Sequence, residues 1–215
     1  YKSRVIWALL EVYGITNDDR YKRSAESVIS WILKQAKSNG WFTDTSFSNK
    51  NPITHLIGYT LVGLLEVYRL HNISCDYDRL LKLLTAAADN ISQYYLSHSV
   101  SNFPGLPGSF NSHWESKDRW SCNTGNAQIS FFLRSLFKFV NNPDYITVAD
   151  LLIDDLKKIQ LIDNVNDKNI RGGLFGSYPI RAEYGPYVIP NWGVKFFADS
   201  LLLKNMNQDD LSYLS

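Results

Sequence analysis

Three turns, each built from a glycine followed within two residues by an aromatic ring, recur along the chain, and each leads into a helix that is apolar on nearly every face. The turns are Gly40-Trp41-Phe42, Gly108-Ser109-Phe110 and Gly173-Leu174-Phe175, the last running on into Gly176-Ser177-Tyr178; their leading glycines lie 68 and 65 residues apart. Self-similarity at a near-constant period marks a unit stacked several times against copies of itself. The helices that follow the turns span 53–70, 126–140 and 191–203. A helix apolar all round must be buried among other helices. None of the three is long enough to cross a bilayer.

A different kind of segment precedes each turn. Residues 18–37 place Tyr21, Ala25, Val28, Ile32 and Gln35 on one stripe. Residues 76–95 do so with Tyr77, Leu80, Leu81, Leu84, Ala87, Ala88, Ile91, Tyr94 and Tyr95, and residues 144–160 with Tyr145, Val148, Ala149, Leu152, Leu156 and Ile159. This is the helical period with a solvated opposite face, and Asp18, Asp76 and Asp144 stand at or near plausible helix starts. With a first helix at 5–13 taken as buried, the order is inner, outer, inner, outer, inner, outer, inner. The chain starts at Tyr1 inside what reads as a helix, so the expectation is one domain over 1–215 that lacks N-terminal helices.

Aligning the apolar ends of the inner helices puts His55, Asn126 and Asn191 in register. One turn on come Tyr59, Ser130 and Lys195, and then Gly63, Arg134 and Asp199. At 3.6 residues per turn such a stripe drifts by only about 80°. Buried polar groups cost free energy unless they are paired or reach water. Two readings stay open: the rows line a common lumen, or each side chain bonds the preceding loop and holds it.

The sequence around the first turn, Gln35-Ala36-Lys37-Ser38-Asn39-Gly40-Trp41, resembles the Gln…Gly…Trp repeat of the terpenoid cyclase and protein prenyltransferase toroids, with Gln93 and Gln160 as weaker echoes. The stretch Gly172–Pro179, followed by Tyr187, Pro190, Asn191, Trp192, Lys195, Phe196, Phe197 and Asp199, is similar to carbohydrate-active toroid proteins, in which such a loop and inner helix form part of a sugar cleft. The resemblance implies an all-α fold, a partial or open α/α toroid of alternating outer amphipathic and inner apolar helices. The Asp-rich acid motif of squalene-type cyclases is missing. So is the prenyltransferase zinc set, because Trp120 stands where an Asp should precede Cys122 by two residues.

Candidate chemistry lies in the loops. The loop 103–123 holds Trp114, Glu115, Asp118, Arg119 and Trp120; the loop 171–191 holds Tyr178, Arg181, Glu183, Tyr184 and Tyr187. Long loops inside compact domains are often functional. Aromatic rings stack on the apolar face of a sugar while carboxylates and cations fix its hydroxyls. Glu115 and Asp118 are an acid/base candidate pair, set against a salt-bridged loop. Glu183 is the acid of first choice, set against a surface pair with Arg181. His55 is a candidate base, set against a satisfied core histidine. Trp41, Tyr59, Asn126, Asn191, Trp192 and Lys195 complete the expected binding set. For a sugar acid, Arg119, Arg181 or Lys195 would supply the cation.

With 22 basic and 21 acidic side chains the chain generates no field that attracts nucleic acid or an anionic surface. Its two cysteines, Cys75 and Cys122, lack metal-ligand spacing, so neither a metal nor a cofactor is expected. Cysteine usage suits a reducing, cytoplasmic setting. The expected partner is a glycan or other small-molecule substrate, and the oligomeric state is left open. The resemblance implies action on a polysaccharide or glycan by a hydrolase, lyase or epimerase. The alternatives are a non-catalytic scaffold that binds a glycan or protein, and an isoprenoid-type enzyme.

Overall fold

The computed structural model describes residues 2–47, 50–98, 103–163 and 165–206. Its elements are α1 (Lys2–Thr16), α2 (Asp19–Gln35), α3 (Thr54–Leu70), α4 (Tyr77–Ser97), β1 (Ser121–Cys122), α5 (Asn123–Val140), α6 (Pro143–Ile159), β2 (Ser177–Tyr178) and α7 (Asn191–Asn205). Helices α1, α3, α5 and α7 pack side by side in chain order, and α2, α4 and α6 lie outside them. The chain is thus an arc of paired helices with the expected alternation of inner and outer members.

Burial follows the periodicity. Helix α4 buries Leu80, Leu83, Leu84, Ala87, Ala88 and Ile91, and α6 buries Tyr145, Val148, Ala149, Leu152, Ile153 and Leu156. Helix α2 buries Ala25, Ile29, Ile32 and Leu33, while Gln35 is exposed, contrary to its expected place on the stripe. The outer helices start at real caps: the carboxylates of Asp18 and Asp76 accept from the backbone N–H groups of Arg20 and Arg79, and the side-chain amide oxygen of Asn142 accepts from that of Asp144. Asp144 is therefore a first-turn residue of α6, two residues past the cap, where its charge suits the positive helix end.

The glycine turns fill the space between hairpins. Gly40 has φ +77°, and a Cβ there would stand 2.3 Å from the backbone nitrogen of Ala87 on α4. Only glycine combines that conformation with that approach. Trp41 and Phe42 are then driven into the core, as is Phe110 after the second turn.

At the end where the inner helices begin, the loops are stitched in series. Thr54 donates its backbone N–H to the Gly108 carbonyl, and Gly108 donates to that of Trp120. β1 pairs antiparallel with β2, with Ser121 opposite Tyr178 and Cys122 opposite Ser177. No strand was expected; this two-residue ladder ties the second loop to the third. No described helix is long and apolar enough to cross a membrane.

Candidate functional site

The mouth of the arc is built from α3, the third loop and the first turn of α7. A cavity of about 400 Å³ opens there, lined by Phe47, Ile53, His55, Leu56, Tyr59, Tyr184 and Trp192. Its volume falls within the roughly 300–1,000 Å³ usual for small-molecule sites.

His55, the second residue of α3, is 4% exposed. Its Nδ1 lies 3.0 Å from Oε1 of Gln128 on α5. An amide oxygen only accepts, so Nδ1 carries the proton and Nε2 keeps its lone pair. Gly58, one turn along α3, leaves room for Gln128: a Cβ there would be 2.7 Å from the Gln128 Cβ. The Tyr59 ring meets His55 edge-on at 4.7 Å, and the Tyr184 ring lies 5.1 Å away at a tilt. Burial holds the imidazole pKa down at about 4, partly opposed by the Gln128 hydrogen bond. The side chain is a neutral acceptor at neutral pH.

The repeated Gly-aromatic sequence explains how Tyr184 reaches this point. Ser177, on β2, donates its hydroxyl to the Tyr184 carbonyl at 2.6 Å and accepts the Tyr184 N–H at 3.1 Å. β2 in turn sits on β1, immediately before α5. Trp192, in the first turn of α7 and half exposed, donates its indole N–H to the Tyr184 hydroxyl at 2.7 Å. Two rings from different elements are thereby fixed against each other with surface left open to solvent.

Other expected site residues lie elsewhere. Trp41, Trp114 and Trp120 are buried. Trp41 and Trp114 meet edge-on at 5.2 Å, and the Trp114 indole donates to the Asn39 carbonyl. Trp120 packs on Gly108. These indoles hold loops to the core and offer no open face. Glu115 accepts from the Asn111 side chain and Asp118 from the Ser109 hydroxyl, so both carboxylates are used within their own loop. Asn126 is buried and accepts the Leu106 N–H, the loop-holding role. Asn191 is exposed at the start of α7.

The three aligned rows therefore do not share one lumen. Ser130 donates to the Ala149 carbonyl on α6, and Arg134 pairs with Asp150, also on α6. Lys195 pairs with Asp199 at 2.5 Å on its own helix. Arg119, Arg181, Tyr178 and Tyr187 are exposed. Glu183, next to Tyr184 in the chain, is exposed and makes no ion pair with Arg181 or any other described residue. Among the described residues no three His, Cys, Asp or Glu side chains cluster as metal ligands.

Sequence reasoning missed Gln128, Phe47 and Arg4. Asn126 was singled out by its register with His55 and Asn191, and Gln128, two positions on, falls outside the aligned rows. Arg4 was left outside a helix expected to begin at Val5; α1 in fact begins at Lys2.

No protein-family model matches the sequence, and neither does any curated protein. Solved structures do match. A glycosyl hydrolase of family 88 from Bacteroides vulgatus superposes with a TM-score of 0.66 at 12% identity, over 94% of this chain and 60% of the other. An unsaturated glucuronyl hydrolase from a Bacillus species gives 0.66 at 17% identity, over 93% and 56%. A cellobiose 2-epimerase from Bacillus thermoamylovorans gives 0.63 at 12% identity, over 95% and 52%. This chain spans three fifths or less of the length of each of these. At such identities the likeness speaks to architecture, and it agrees with the packing of inner and outer helices: the chain folds as an arc of an α/α toroid.

Proposed function

We propose that this is a carbohydrate-active toroid protein acting on a polysaccharide or glycan, with the sugar seated in the cavity between His55, Tyr59, Tyr184 and Trp192. The observation that carries the reading is the pairing of open aromatic rings with a neutral, buried imidazole in one cavity at the ends of the inner helices. Rings of this kind cover the apolar face of a pyranose. The Nε2 lone pair of His55 and the hydroxyls of Tyr59 and Tyr184 supply polar contacts that fix orientation. Hydrolase and epimerase neighbours share the architecture, and a fold alone selects neither reaction.

Glu183 is the carboxylate we assign to the rim, as the sequence neighbour of Tyr184. Hydrolysis by the usual route needs two opposed carboxyl groups about 5–10 Å apart. Glu115 and Asp118 are engaged in their own loop, so Glu183 lacks an evident partner among the described residues. That observation favours, as the second reading, a binding module that recognises a glycan without cleaving it. The isoprenoid reading asks for a closed apolar tunnel; the cavity instead carries His55 and two tyrosines. The free thiols Cys75 and Cys122 suit a cytoplasmic setting.

The test is binding and turnover on a glycan panel with Trp192→Ala, Tyr184→Phe, His55→Ala and Glu183→Gln. Trp192→Ala is expected to weaken glycan binding at least tenfold, about 1.4 kcal/mol. Turnover abolished by Glu183→Gln or His55→Ala supports an enzyme. Binding without turnover supports the module. Glycan binding that none of the four changes reduces places the site elsewhere and refutes the reading.

A further inference from the structure

Arg4 stands in the first turn of α1 with its guanidinium carbon 4.6 Å from the Trp7 ring centroid, 5.2 Å from that of Tyr59 and 5.9 Å from that of Phe196. Rings from α1, α3 and α7 therefore converge on one cation. The side chain is half-buried, and burial lowers its pKa from the ordinary arginine value. Removing a charge from water costs several kcal/mol unless a counter-charge replaces the lost solvent. Ring faces return only about 0.5–2 kcal/mol each.

The carboxylates close enough to act on Arg4 are Glu66 and Asp199. Both are engaged by other cations, Glu66 by Arg69 at 2.6 Å and Asp199 by Lys195 at 2.5 Å. Arg4 makes no hydrogen bond or ion pair among the described residues. Arg69 also pairs with Glu11, and Lys138 faces Glu66, so Arg4, Arg69, Lys138 and Lys195 meet three carboxylates, Glu11, Glu66 and Asp199, and Arg4 is the cation of this group that packs on the Tyr59 ring.

Tyr59 links this cation to the mouth. The ring that Arg4 covers also lines the 400 Å³ cavity, and His55 meets it edge-on. A ligand resting on Tyr59 thus lies beside a neutral imidazole, while Arg4, outside the cavity lining and without an ion pair among the described residues, packs on the same ring. Helices α3 and α7 bring their N-terminal first turns to the same end, which adds positive potential. The cations expected from the sequence do not compete: Arg119 and Arg181 are exposed on loops, and Lys195 is already paired.

We propose that Arg4 is an anion-recognition residue of this mouth and that the saccharide taken there carries a carboxylate. The fork of a guanidinium matches a carboxylate with two parallel N–H···O bonds, which a lysine cannot reproduce. The proposal rests on the sugar-site reading of the preceding subsection and adds the charge of the ligand to it.

The experiment uses uronate-containing oligosaccharides, each paired with its carboxyl-reduced neutral counterpart, and measures binding by calorimetry. The protein is expected to bind the acidic member at least tenfold more tightly at low salt. Arg4→Met, which keeps the apolar stem over the rings, is expected to bring the two affinities together, and Arg4→Lys to retain part of the difference. Should Arg4→Met fail to fold by far-UV circular dichroism, the decision passes to Arg4→Lys and to the salt dependence of the unmodified chain. There the preference is expected to shrink severalfold between about 0.02 and 0.5 M salt. Equal affinity for both members, or a preference that survives Arg4→Met, overturns the role of Arg4 while leaving the sugar site standing. Binding of neither member overturns both readings.

Discussion

At neutral pH the His55 imidazole is uncharged, and the cause is burial: the protonated form would have to leave water to sit between Tyr59, Tyr184 and Gln128. In the unfolded chain the same group titrates near 6.5, and in the folded chain near 4. The folded state therefore binds its proton later. Its stabilisation is complete above the unfolded value and is lost as pH falls from about 6.5 through 4, to a total of roughly 3 kcal/mol. Urea unfolding at stepped pH is expected to show the unmodified chain losing that much more stability across the window than His55→Gln does. Parallel profiles would mean that the imidazole is solvated in the folded state. His55 was visible in the sequence as a polar residue at the start of an apolar helix. Gln128 and Arg4 were not, because their roles come from partners on other helices.

Among elements, the turns make the sharpest prediction. Gly40→Ala meets two penalties at once, a positive φ and a collision with the backbone of α4, and is expected to destabilise by more than about 2 kcal/mol. Gly14, inside α1 and exposed, has nothing within 4 Å of a new Cβ. Gly14→Ala should stabilise by about 0.5–1 kcal/mol through helix propensity alone. Thermal unfolding of the two variants checks the opposite signs; a neutral Gly40→Ala would refute the packing of the first turn. The outer stripes were legible because a helix with one dry face advertises it at every third or fourth residue, as Leu80, Leu84, Ala87, Ala88 and Ile91 do. The inner helices carry no such contrast, so their rotation about their own axes was not readable. That is why the sequence left open whether Ser130 and Arg134 face a lumen; both turn toward α6.

Over the whole molecule the core divides unequally. One cluster runs through α1 to α6, while Phe196 and Phe197 of α7 belong to a smaller one with Ala127, Ile153, Leu156 and Leu174. Helix α7 also exposes Trp192 and Leu202. Fewer buried apolar contacts lower the free energy of local opening. Native-state hydrogen exchange is expected to show the amides in the middle of α7 less protected than those of α3 and α5; equal protection would mean that the two clusters open as one. Such an opening would also uncouple Trp192 from the mouth. From the chain alone came the number of helices, their division into inner and outer members and the Gly-aromatic turns between them, since burial imprints its period on sequence. The tertiary structure decided which polar side chains share a cavity. His55 meets Gln128 across 73 positions, and Arg4 meets Tyr59 and Phe196 from three separate helices, because contacts between helices depend on rotation and register that no local pattern encodes.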